Sequence, residues 1–226
     1  DAVAGSFNPT NFGYFGGGSG EVSTVDRVDY SNDTATAVEK GPLTSARYNI
    51  GATGNSNFGY FGGGESPTET TVDRIDYSND TAAAVAKGPL TVARWGLAAT
   101  GNIDFGYFGG GASGSENSTV DRIDYSNDTA AAVAKGPLSV GRYYVAATGN
   151  QNFGYFGGGK NPVTTRVDRV DYSNDTATAS PKGPLSAGRF SLPSGVSARA
   201  NGFTVVGPAV VSNADAVAGS FNPTNF

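Results

Sequence analysis

The chain has 226 residues, with 15 Lys and Arg against 20 Asp and Glu, and its net charge of −5 argues against a nucleic-acid binder presenting a basic face. It contains no His and no Cys, which removes the commonest general base, the commonest zinc ligand, thiolate chemistry and disulfides. Gly is abundant at 34 residues, but 38% of the chain is hydrophobic, with 13 Phe and 11 Tyr, which favours a folded, turn-rich β-protein over a disordered one.

No apolar run approaches the roughly 20 residues that span a bilayer, and the start lacks a charged region followed by an apolar one. With no Met, the chain is expected to be a processed form or a fragment of a longer tandem protein.

Asp1–Phe12 reads Asp-Ala-Val-Ala-Gly-Ser-Phe-Asn-Pro-Thr-Asn-Phe, and the same twelve residues return at Asp215–Phe226. Between them lie four near-identical units. Phe-Gly-Tyr-Phe-Gly-Gly-Gly begins at Phe12, Phe58, Phe105 and Phe153, at spacings of 46, 47 and 48. Val-Asp-Arg-(Val/Ile)-Asp-Tyr-Ser-Asn-Asp-Thr follows at Val25, Val72, Val120 and Val167, and Gly-Pro-Leu at Gly41, Gly88, Gly136 and Gly183. A period near 47 belongs to propellers and related repeat arrays.

Each unit predicts four short strands. An apolar stretch such as Trp95–Ala99 comes first and ends at the turn signal Gly101-Asn102. Phe105–Phe108 comes next, closed by three glycines. Val120–Tyr125 alternates charged and apolar residues, which suits a strand toward the rim. Ser126–Thr129 predicts a turn in which Asn and Asp side chains bond the local backbone. Ala130–Lys135, ending at Gly136-Pro137, suits a sheet edge, because Pro cannot donate to a ladder. No segment offers ten residues of helical periodicity free of turn signals.

Val-Asp-Arg-Ile-Asp-Tyr, Gly-Pro-Leu, an Arg four residues past that Leu and paired glycines after a Tyr-Phe strand together resemble the kelch repeat over roughly residues 1–206. That resemblance implies an all-β propeller in which the di-glycine ends the second strand of each blade. The family's usual fourth-strand Trp is replaced here by small residues. The Asp-Tyr-Ser-Asn-Asp-Thr units also resemble repeats in structural proteins of marine bacteriophages (cyanophage type). The expected architecture is one propeller domain of about five blades, at 1–45, 46–92, 93–140, 141–187 and a short fifth at 188–214. Residues 215–226 duplicate the first strand. The fifth blade is expected to carry strands around Phe190–Val196 and Gly202–Val206.

In such a blade the second-to-third and fourth-to-first connections share one face. The second-to-third loops, Ser19–Thr24, Glu65–Thr71, Ala112–Thr119 and Lys160–Arg166, are the strongly variable parts. Variable loops on a constant scaffold are a common way to diversify binding, and also a place where exposed sequence drifts. Arg47, Arg94, Arg142 and Arg189 belong to that face, each followed by an aromatic: Tyr48, Trp95, Tyr143 and Phe190. A guanidinium beside an aromatic can bind sugars or acidic ligands; the favoured reading pairs each Arg with a carboxylate such as Asp26 or Asp73 in its own or a neighbouring blade, while the aromatic packs between blades. With Glu65, Glu116 and Lys160 from the loops, these residues form the candidate ligand or partner surface.

Asp29/Asp33, Asp76/Asp80, Asp124/Asp128 and Asp171/Asp175 place oxygen side chains at alternate positions, as calcium loops do. The missing Gly and distant Glu make a structural Asx turn the better reading. The glycine runs lack the Lys-Ser/Thr of a phosphate loop. No catalytic residues and no cofactor are implied: the acids recur equivalently in every unit, whereas catalysis needs asymmetry, and copper-radical kelch oxidases require residues the chain lacks.

The expected function is a non-enzymatic structural or adhesive propeller, a virion appendage or decoration module that contacts host glycan or another virion protein. The alternative is an intracellular adaptor that binds a peptide or protein. Self-association through the duplicated terminal strand is a further expectation, as is a virion or extracellular location.

Overall fold

Each unit folds into one antiparallel four-stranded meander, because its apolar, aromatic and β-branched runs are too short for helices and are separated by Gly, Asn and Asp turns. The computed structural model describes residues 3–4, 12–190 and 195. Blade 1 comprises β1 (Val3–Ala4), β2 (Phe12–Gly16), β3 (Val25–Asp29) and β4 (Val38–Lys40). Blade 2 comprises β5 (Gly51–Gly54), β6 (Phe58–Gly62), β7 (Val72–Asp76) and β8 (Val85–Ala86). Blade 3 comprises β9 (Ala98–Gly101), β10 (Phe105–Gly109), β11 (Val120–Asp124) and β12 (Val133–Ala134). Blade 4 comprises β13 (Ala146–Gly149), β14 (Phe153–Gly157), β15 (Val167–Asp171) and β16 (Ser180–Lys182).

Strand order within every sheet follows the sequence, and the innermost strands β1, β5, β9 and β13 lie side by side without pairing. This is a propeller-like all-β fold. The N-terminal copy of the repeated segment supplies the innermost strand of blade 1, with Val3 opposite Gly16 and Ala4 opposite Phe15. The second copy at 215–226 and nearly all of the expected fifth blade lie outside the described residues. Of that blade, Gly195 is described and packs against Ala147 and Thr148 of β13.

Two strand limits differ from the sequence reading. The first strand of blade 3 starts at Ala98, not Trp95; Trp95 instead makes an isolated bridge to Ala112. A left-handed residue, Gly96 at φ +65°, turns the chain between them. The fourth strand shrinks to Val133–Ala134, since the preceding alanines follow a turn and only two residues reach the ladder.

The blades join through aromatic rings seated on glycines. A side chain on Gly16, Gly62 or Gly109 would meet the ring of Phe61, Phe108 or Phe156 in the next blade at 2.8, 2.6 and 2.6 Å. Those three rings are fully buried. The first glycine of these three runs thus permits close approach, and the next two of every run take positive φ to turn the chain, as Gly63 and Gly64 do at +68° and +119°.

Nearer the rim, each junction carries the same polar latch. Tyr60 and Arg74 Nη1 of blade 2 donate to Asp128 Oδ2 of blade 3 at 2.9 and 2.8 Å, and Lys87 approaches Oδ1 at 3.2 Å. The sets Tyr14, Arg27, Lys40 with Asp80, and Tyr107, Arg122, Lys135 with Asp175, repeat it. Tyrosines stack across the same junctions: Tyr14 on Tyr77, Tyr60 on Tyr125 and Tyr107 on Tyr172, with centroids 4.9, 4.9 and 4.5 Å apart. Burial, reinforced by the bond to Asp80, pushes the Tyr14 hydroxyl up to about 12. The same two causes raise Tyr60 and Tyr107 further, and burial alone raises Tyr172.

Candidate functional site

The four Arg–aromatic pairs are all described, and the arginines and aromatics take different roles. Arg47, Arg94 and Arg142 are buried and leave the ligand surface. Arg94 Nη1 donates to Asp121 Oδ2 at 2.7 Å and Nη2 to the Phe108 carbonyl at 3.0 Å; Arg142 repeats both bonds with Asp168 and Phe156. Arg47 Nη2 lies 2.9 Å from Asp73 Oδ2. Each Asp also accepts from the backbone N–H and hydroxyl of Thr44, Thr91 or Ser139. The guanidiniums therefore fasten the incoming connection to its blade. The Arg–carboxylate pairing expected from the sequence is thus present, with Asp73 as the partner of Arg47 within the same blade. Arg189 is exposed, as is its neighbour Phe190.

The aromatics that follow these arginines remain on the loop face, and two of them cluster with Tyr144. Trp95 and Tyr143 meet edge to face at 5.1 Å; Tyr144 lies 5.4 Å from Trp95 and 5.0 Å from Tyr143. Tyr144 had escaped the sequence reading, though Arg142-Tyr143-Tyr144 differs from the corresponding Arg94-Trp95-Gly96. It occupies the left-handed region at φ +53°, where Gly96 stands one blade earlier. A bulky residue there is strained, and such strain concentrates at functional sites. Its N–H donates to the Gly96 carbonyl at 2.7 Å, and Gly96 donates to that of Asn49 at 2.8 Å, so the entrances of blades 2, 3 and 4 are linked.

Trp95, Ala112, Gly114, Ser115, Glu116, Tyr143 and Asn161 line a recess of about 360 Å³ between the loops of blades 3 and 4. Its own backbone N–H and the Asn161 side chain hold the exposed Glu116 carboxyl below the usual carboxylate range. Lys160 reaches over Tyr143 at 6.0 Å and Phe190 at 5.4 Å. Thus Trp95, Tyr143 and Glu116 come together at this recess, with Lys160 beside Tyr143. Tyr48 and Glu65 lie at the neighbouring entrance, joined by backbone bonds, and Glu65 Oε2 accepts from Asn49.

The weak cation candidates are engaged by protein groups. Asp29, Asp76, Asp124 and Asp171 each accept from the backbone and hydroxyl of the Ser two residues on, capping a tight turn. Asp80, Asp128 and Asp175 are filled by the Tyr, Arg and Lys of the latch. Asp33 is exposed. No cluster of three or more acidic groups able to hold a metal occurs among the described residues. No helix among them is long and apolar enough to cross a membrane.

With this geometry in place, the comparisons address the fold. The chain resembles YjhT. The match to the solved structure of YjhT has a TM-score of 0.65 at 13% identity, over 82% of this chain and 66% of that one. At that identity the likeness concerns the fold alone, and the chain spans just under two thirds of YjhT's length. No family model matches the chain, and no curated protein matches it.

Proposed function

We propose that this chain is a non-enzymatic adhesive or structural propeller whose loop face binds carbohydrate. The observation that carries the reading is the recess between blades 3 and 4, where the rings of Trp95 and Tyr143 stand beside the Glu116 carboxylate and the Asn161 amide. A sugar ring has an apolar face that stacks on aromatics and hydroxyls that bond to carboxylates and amides, so this combination suits it. The kelch-like motifs and the phage-like Asp-Tyr-Ser-Asn-Asp-Thr units support a virion appendage or decoration module as its setting.

The test is a glycan array followed by calorimetric titration of the best ligand, with Trp95→Ala and Glu116→Gln alongside the parent chain. Retention of a glycan by the parent with loss in both variants supports the reading. Equal retention by all three, or no retention by the parent, overturns it. A protein partner is the second reading, favoured by the exposed Val22, Val163 and Phe190; peptide capture without glycan retention would select it.

A further inference from the structure

Three blade junctions are built from one pattern, and the described ends of the array carry its two separated halves. The donor half is on blade 4. Arg169 lies over Phe153 at 4.3 Å, as Arg122 lies over Phe105 at 4.2 Å. Unlike Arg122, Arg169 has no carboxylate partner among the described residues. Among the described residues Tyr155 has neither the carboxylate nor the stacked tyrosine that Tyr14, Tyr60 and Tyr107 possess, and Lys182 is exposed. Among the described residues a side chain at Gly183 would meet nothing within 4 Å, whereas at Gly41, Gly88 and Gly136 it would strike the carbonyls of Ala82, Ala130 and Ala177.

The acceptor half is on blade 1. Asp33 is exposed, while its counterparts Asp80, Asp128 and Asp175 have side chains 9, 9 and 8% exposed. Tyr30 is 62% exposed, against 8% for Tyr125. Gly195 approaches the axial part of blade 4 at β13; the rim part meets no described residue. Residues 191–226 contain a single acid, Asp215, and no copy of Asp-Tyr-Ser-Asn-Asp-Thr. The motif occurs four times in the chain, and three of its copies are already engaged. The remaining acceptor is blade 1.

We propose that the rim of blade 4 docks onto blade 1 of a second copy of this unit, head to tail. Asp33 takes the Tyr155, Arg169 and Lys182 donors, and Tyr30 stacks on Tyr155. The charges are complementary, and the contact continues the established junction pattern. Because the two faces differ, the association is heterologous and propagates. It uses surfaces separate from the duplicated terminal strand.

The test measures mass by light scattering on the 226-residue chain across a concentration series. The parent is expected to grow in mass with concentration. Asp33→Lys and a Lys182→Asp/Arg169→Asp variant each weaken self-association at least tenfold. Gly183→Leu does the same without altering thermal unfolding, since its side chain meets no described residue of the single copy. Mixing Asp33→Lys, whose donor face is intact, with Gly183→Leu, whose Asp33 is intact, yields dimers and nothing larger. A parent chain that stays monomeric overturns the proposal. So does association unchanged in Asp33→Lys and Gly183→Leu. A monomer destabilised by both variants would show instead that blade 1 closes on blade 4 of its own chain.

Discussion

Asp121 lies in the third strand of blade 3, and Arg94 in the connection that enters that blade; their side chains meet at 2.7 Å with neither exposed to solvent. Deleting the carboxylate leaves a guanidinium buried without its counter-ion. Asp121→Ala is therefore expected to lose about 3–5 kcal/mol of unfolding free energy. Arg94→Ala combined with it should lose less than the sum of the single changes, because the second change removes the stranded charge. Urea unfolding of the four proteins completes the cycle.

Chemically equivalent acids are expected to differ in worth according to whether a neighbouring blade covers them. Asp128→Ala strands the donors of Tyr60, Arg74 and Lys87, and a loss of about 1–3 kcal/mol follows. Asp33→Ala, at an exposed position, should shift the unfolding of the isolated chain by less than about 0.5 kcal/mol. Dilute samples, below any association, make the comparison fair.

Glycines should split in the same way. Gly62→Ala places its Cβ 2.6 Å from the Phe108 ring, and overpacking of this kind costs about 1–3 kcal/mol. Gly183→Ala meets no described residue and is expected to be near neutral. Thermal denaturation of the two variants, run together, distinguishes a packing role from a general cost of losing glycine.

The latch tyrosines imply an alkaline limit. Their folded values lie above the ordinary Tyr value of 10.0, with Tyr14 at about 12, so the folded state holds these protons more tightly than the unfolded one. The stability this supplies is whole below pH 10 and drains away as pH climbs through the folded values. The phenolate absorbance should rise together with loss of β-sheet signal above pH 10, while independent titration of Tyr14 in an intact fold would contradict the linkage.

At the loop face, Trp95→Ala removes a ring that packs against both Tyr143 and Tyr144. Aromatic packing of this kind is worth about 0.5–1.5 kcal/mol beyond the area it covers, so a glycan bound there should weaken by up to about tenfold. Tyr48→Ala, at the neighbouring entrance, should leave that affinity unchanged.

The repeat made the strand order readable, since Phe-Gly-Tyr-Phe-Gly and Val-Asp-Arg-(Val/Ile)-Asp each reappear as one strand in every described blade. The Asx turn was readable as well, because Asp124 and Ser126 interact locally. The Arg–Asp pairing was legible too, since each unit repeats one Arg and one Asp and the alternation sets Asp121 on the face of Ile123; the full burial of the pair, with Arg94 27 residues upstream of Asp121, was not. The aromatic cluster beside the recess includes Tyr144 in a glycine's conformation, and no periodicity marks that exchange. Its only trace was one aromatic where the other units have Asn49, Gly96 and Ser191.

Thr71–Leu90 and Thr119–Leu138 are identical over 20 residues, and the aromatic-on-glycine seat and the Tyr–Arg–Lys latch recur unchanged between successive blades. Excising residues 72–119 would bring Thr71 directly before Val120, recreating the local sequence at the splice and presenting the following blade with the same glycine seat and the same aspartate. Recombination between such DNA repeats can thus lengthen or shorten the array in whole blades, with no compensating mutation at the joint. The gene carries an adjustable ruler, and the variable loops ride along as exchangeable heads.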